Sequence, residues 1–383
     1  MFVNIIKEVR EVSLTHLFEQ TEKPIVNMIT PNPIVGTGLH AVGGISAASC
    51  YMPFEKVKQW SWGVFWIVQS FFAWLIMPLV IGYFTVPDLF KVLSAAPNSV
   101  FWSALLLGAV YGFGGLSFGY AIRNIGYSLT YTISIGISAV LGTVIPLIIN
   151  GQLVEQFTKT GGGIVLVGML VSIAGVALCG KAGFMKERFL AKTTGKGSTG
   201  FNMGKGLLLT LIAGTLSAIW GVSLEVGQPI ADIAAEHGAG HFEGNAKLIV
   251  SSLGCLATNL IWFLVSTIRD GSIKDLFSVK EVGGKRYASN FSLSALAGSL
   301  WYFQFFFYGL GHVRMGSFQF ASWVLHMSML IFFSYIIGVV MKEWKGVDKK
   351  TYTSLIIALF VLVISFVVMT YGSYIGELSD AGH

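Results

Sequence analysis

Long apolar stretches, broken by short connections that hold the charge, restrict this chain more than any other feature. Ten segments of about 18–24 predominantly apolar residues follow one another, each long enough to cross a hydrocarbon core of roughly 30 Å as a helix. They fall at 34–52, 63–86, 100–121, 127–149, 163–180, 206–226, 246–268, 290–311, 319–341 and 353–375. This pattern predicts an all-α membrane protein of ten transmembrane helices. Of the 25 Lys and Arg residues, 18 lie in the connections after the first, third, fifth, seventh and ninth segments. The other 7 are spread over the opposite connections and the N-terminal tail. Cytoplasmic loops carry such an excess, so 181–205 and 269–289 are expected in the cytoplasm and both termini outside.

Charged residues make up only 11% of the chain and hydrophobic ones 54%, about half the globular share of charge. The net charge of +6 does not point to a nucleic acid, because the basic residues occupy short loops between spans. Cys50, Cys179 and Cys255 lie inside apolar segments and read as small buried hydrophobes, not as a disulfide or metal site. Residues 1–33 are broken by Lys7, Glu8, Arg10, Glu11, Glu19, Glu22 and Lys23 and hold no signal-peptide core. They suit a surface helix with Val9, Val12 and Phe18 on one side, a disordered extension, or a segment upstream of a natural start at Met28.

A basic, Gly- and Thr-rich stretch at 181–205 suits a flexible cytoplasmic linker. It divides the chain into a first block at 34–180 and a second at 206–375, with a tail at 376–383. Each block holds five spans. Five is odd, so the second block enters the membrane in the opposite sense, the arithmetic of a five-plus-five inverted repeat. A faint echo supports it: Tyr120-Ala-Ile-Arg123-Asn-Ile-Gly126 ends the third span, and Tyr308-Gly-Leu-Gly-His-Val-Arg314-Met-Gly316 ends the eighth. The 46 glycines cluster within spans, where small residues let helices approach closely. Pro146 suits a kink or a helix end.

No nucleotide-binding loop, metal-spaced Cys/His cluster or nucleophile elbow is present, which argues against an ATP-driven pump. Polar residues within spans are the candidates, because lipid makes them costly. In the eighth span, Trp301, Gln304, Tyr308 and His312 recur on one helical face. Indole, amide, phenol and imidazole together suit a neutral, hydroxyl-rich ligand such as a sugar, or an aromatic packing face. Trp323 and His326 repeat the theme in the ninth span, near Ser322 and Gln319. His40 and Tyr51 lie in the first span, and Tyr131, Ser134 and Ser138 in the fourth. His40 and His326 lie at similar depth, and imidazole changes charge near neutral pH as a proton coupler requires. Glu225, near the outer end of the sixth span, suits either a buried proton carrier or an interfacial acid, with Gln228-Pro229 read as the start of a loop. Trp60, Trp62 and Trp344, beside lysines, read as interfacial anchors. A gating ion pair between the two segments is the alternative.

Several of these stretches resemble the L-rhamnose–proton symporter family of the drug/metabolite transporter superfamily. They are Tyr51-Met-Pro-Phe-Glu-Lys-Val-Lys-Gln-Trp-Ser-Trp62, Trp301-Tyr-Phe-Gln-Phe-Phe-Phe-Tyr308 with Gly311-His312-Val-Arg314, Ser322-Trp-Val-Leu-His-Met-Ser328 and Lys342-Glu-Trp344. The similarity runs from about Gly36 to the end of the tenth span. It implies ten helices, a bacterial inner-membrane location, and sugar uptake driven by the proton gradient. The expected partners are a monosaccharide, a proton and the bilayer, with no cofactor and no metal. On this reading Trp301, Gln304, Tyr308, Trp323, His326 and Tyr131 surround the sugar, and the proton is carried by His326, placed ahead of His40 and Glu225. An exporter or exchanger of another metabolite, and a sugar sensor that moves nothing, are the alternatives.

Overall fold

The computed structural model describes residues 31–194 and 203–381, so the expectations for residues 1–30 lie outside the described residues. Among the described residues the long helices of the bundle are α1 (Pro33–Ser49), α2 (Trp62–Thr85), α3 (Asn98–Ile125), α4 (Tyr127–Ile149), α5 (Gly162–Thr194), α6 (Met203–Val226), α7 (Gly244–Asp270), α8 (Gly284–Arg314), α9 (Ser322–Val340) and α10 (Lys349–Ala381). Local chemistry sets several ends. Asn32 accepts from the Val35 amide at 3.1 Å and Pro33 occupies the first turn of α1, as helix N-termini favour. Gly271 closes α7 at φ +66° and Gly283 precedes α8 at φ +83°, angles that glycine takes without strain.

Among the described residues there are no strands, and eight helices are long and apolar enough to cross a membrane by length and composition: α2–α7, α9 and α10. The ten expected spans are therefore matched by eight on that basis. The reasons differ for the two others. Helix α1 has only 17 residues, and α8 carries Trp301, Gln304, Tyr308 and His312 where a lipid-facing helix would be aliphatic. Helix α1 packs against both α8 and α9.

Three boundaries differ from expectation. Helix α5 continues to Thr194, so much of the expected linker at 181–205 is helix. The tail at 376–383 is helical as far as Ala381. Gln228-Pro229 opens a short helix, Gln228–Glu236, with proline in the first turn where its missing N–H costs nothing.

Helix contacts follow the small residues. At α3–α7, a Cβ on Gly108 or Gly254 would collide with the carbonyls of Ser251 and Leu105. Helices α3 and α4 both pack on α6, α8 packs on α1 and α2, and α4 meets α9. Helix α5 pairs with α10, where Gly168 and Gly175 lie against Met369 and Leu362.

Charge closes both ends of the α5–α10 pair. Lys186 Nζ lies 3.1 Å from both Glu187 and Glu343, with only 4% of its side chain exposed, and covers the Trp344 ring at 5.3 Å. Glu187 Oε1 lies 3.3 Å from where a Cβ on Gly126 would sit. At the opposite end Glu377 Oε1 accepts from the Ser317 amide at 2.6 Å, beside Gly316. Lys159 Nζ donates to the Ser317 carbonyl and lies 4.2 Å from the Phe318 ring. Partial burial lowers the Lys159 ammonium from its ordinary value, while Asp380 and Glu377 pull it back up. Two anchor expectations are corrected here: Trp344 and Trp60 are buried, against Tyr335 and Tyr287. Glu343 pairs with Lys186 of α5.

Candidate functional site

Two cavities lie along the bundle and share no lining residue. The first, a narrow chamber, is walled by Trp66, Trp74, Tyr111, Phe118, Tyr131, Trp301, Gln304 and Phe305, among others. The second, a wider vestibule, holds Glu225, Gln228, Asp232, Glu243, Tyr308, His312 and Trp323. Phe305 on the chamber side meets Tyr308 and Trp323 on the vestibule side, with ring centroids 6.4 and 6.5 Å apart. An aromatic layer thus divides the two.

The expected residues separate along this axis. Trp301, Gln304 and Tyr131 line the chamber; Tyr308 and Trp323 line the vestibule. The single face read on α8 is real, but residues 301 to 312 extend about 16 Å along it at 1.5 Å per residue, enough to pass from one cavity to the other. Trp323 gives its Nε1–H to the Ser138 carbonyl at 2.9 Å, so it offers a ring face and no hydrogen bond. Tyr131 Oη donates to the Ala47 carbonyl at 3.2 Å.

His326 is on neither wall. It is fully buried beside Tyr308 and His40, with ring centroids 5.4 and 5.7 Å away. Glycines make the room: a Cβ on Gly43 would come within 2.8 Å of His326, and one on Gly311 within 2.9 Å of His40. Among the described residues no side chain lies in hydrogen-bond geometry with a ring nitrogen of either histidine; the His40 backbone lies against the His326 ring. Tyr308 also stacks on His312 at 5.6 Å. Three imidazoles therefore surround one phenol.

Glu225 is exposed in the vestibule, not buried among the helices. Lys247 lies behind it, its Nζ bonded to Gln228 Oε1, while Gln228 Nε2 donates to Asp232 at 3.0 Å. Sequence reasoning missed Trp66, Trp74, Tyr111 and Phe118. Their apolar surroundings gave them the look of ordinary span residues, and only Tyr111, beside the glycine run of α3, carried any local signal.

A multi-pass helical membrane protein with an aromatic chamber and a polar vestibule has the build of a small-solute transport protein. Residues 29–374 match the family described as L-rhamnose-proton symport protein (RhaT), and the chain belongs to that family. An L-rhamnose-proton symporter of Citrobacter koseri is 34% identical over 335 residues, which cover 86% of this chain and 95% of that protein. The proteins of the same name from Klebsiella pneumoniae and Yersinia pestis are 33% and 32% identical, over 86% and 87% of this chain and 95% and 96% of their own.

Proposed function

We propose that this protein carries L-rhamnose, or a closely related monosaccharide, together with a proton into the bacterial cell across the inner membrane. The chamber supports this most directly. Its wall combines indole and phenol rings, against which the C–H faces of a sugar stack, with the Gln304 amide for its hydroxyls. Among the described residues none that lines it is charged, which suits a neutral solute. The His40–His326 pair, one layer away, is the proposed proton site.

The reading includes ten spans in two inverted halves. Helix pairing supports it, because the most extensive pairings are retained when each helix is exchanged for the one five later. Contacts α1–α8, α1–α9 and α2–α8 correspond to α6–α3, α6–α4 and α7–α3, while α2–α7, α4–α9 and α5–α10 map onto themselves. The end contacts obey the same exchange: Glu187 reaches the Gly126 turn and Glu377 the Gly316 turn, and the carboxylates are as far apart in sequence as the glycines. With the basic connections inside, the vestibule faces outward and both termini are periplasmic.

Labelled rhamnose and a pH gradient imposed on proteoliposomes test the function. Accumulation abolished by a protonophore is expected. Binding without flux would make the protein a sensor, and flux indifferent to the gradient an exchanger. Orientation is tested separately, since the native cysteines are buried. A cysteine placed at Lys274 is expected to label only in permeabilised cells and one at Gly240 in intact cells; the reverse pattern inverts the topology.

A further inference from the structure

Helix α2 contains one π turn, Phe72–Ile76, and Trp74 is at its centre. Trp66 and Trp74 are eight residues apart, which in an unbroken α-helix of 3.6 residues per turn puts them about 80° apart around the axis. The wider turn advances by fewer degrees per residue, so part of that offset has been removed by Trp74. Both rings consequently line the chamber, with centroids 6.4 Å apart. The bulge is accommodated by α8: a Cβ on Gly298 would come within 2.7 Å of Phe72 Cβ and 2.9 Å of the Ala73 nitrogen.

The two indoles differ in one respect. Trp66 Nε1 donates to Asn259 Oδ1 at 2.7 Å. Trp74 is 2% exposed and set edge-on to Trp301 at 5.2 Å, and its Nε1 has no partner. A buried indole N–H left unpaired costs about 1–3 kcal/mol, and π turns recur at functional sites. Trp60, Trp220 and Trp344 also have unpartnered nitrogens, but none of them lines the chamber. We propose that Trp74 is a substrate-binding residue whose Nε1–H donates to one ring hydroxyl of the sugar, placed there by the π turn. This rests on the monosaccharide reading of the chamber.

The test measures calorimetric affinities of the purified full-length protein for L-rhamnose and for analogues each lacking one hydroxyl. In wild type, removing the hydroxyl that meets Trp74 weakens binding. In Trp74→Phe, rhamnose is expected to bind roughly 5- to 150-fold more weakly, the equivalent of about 1–3 kcal/mol, and loss of that one hydroxyl should carry no further penalty. Trp74→His, which restores a ring N–H, is expected to restore the penalty, and Trp66→Phe to leave it intact. Should Trp74→Phe not fold, Trp74→Leu, which likewise lacks a donor, serves in its place. Unchanged affinity, or uniform weakening with every hydroxyl penalty retained, overturns the role of Trp74. If wild type prefers another monosaccharide, the series is run on that sugar, so the rhamnose assignment fails separately. If no monosaccharide binds, both readings fall.

Discussion

Replacing His326 with glutamine is expected to abolish sugar accumulation driven by a pH gradient while leaving sugar exchange across the membrane intact. One pH unit is worth about 1.36 kcal/mol per proton, so a one-proton symporter concentrates its solute up to about tenfold. The variant should reach only the external concentration. The expectation comes from burial and spacing. His326 and His40 are both fully buried, and a proton on either alone would be an uncompensated charge in low dielectric. Ring centroids 5.7 Å apart put them close enough to share that charge after a small movement. Tyr308 touches both and also lines the vestibule, giving the pair a path to the outer face past His312, Glu225 and Lys247. Glutamine keeps polarity but cannot titrate. Exchange should survive because His326 is not on the chamber wall. Accumulation that persists in His326→Gln would move the proton to another group.

Gln304→Leu is expected to raise the apparent KM for the sugar about 5- to 150-fold, the equivalent of losing one good polar contact to a buried hydroxyl at about 1–3 kcal/mol. Among the described chamber-lining residues Gln304 carries the one side-chain amide. It is 5% exposed, so no alternative partner from bulk water takes over. Leucine has similar volume and suits the aromatic surroundings, so folded yield should be preserved. Normal KM in this variant would mean that the amide is a packing element and that the hydroxyls are read by Trp74 and the phenols.

Much of the candidate site was visible in the sequence as residue types at helical spacing. Trp301 and Gln304 were chosen because an indole and an amide recur on one face of an otherwise apolar segment, and that face does border the chamber. His326 stood out as a histidine in a segment of high hydropathy. What periodicity could not convey was distance along the helix axis. It placed Tyr308 and His312 with Trp301, although the aromatic layer at Phe305 separates them. Nor could it say which hydrogen bonds were already taken, and Trp323 is committed to Ser138.

The amino-acid sequence by itself determined that this is a helical membrane protein, where its long segments run, and which residues suit a neutral polar ligand. These are local properties, written in apolar length, side-chain type and the sidedness of charge. Tertiary structure decided which faces meet. The notch at Gly298 accepts a π turn that rotates Trp74 onto the wall beside Trp66, the glycines at 43 and 311 admit two imidazoles against one another, and Lys186 is buried against Glu343. Each depends on atoms from segments far apart in the chain coming within a few ångströms. Helix contact in a membrane is set by small residues and complementary shape, not by hydropathy, so the pattern along one strand of sequence carries no record of it.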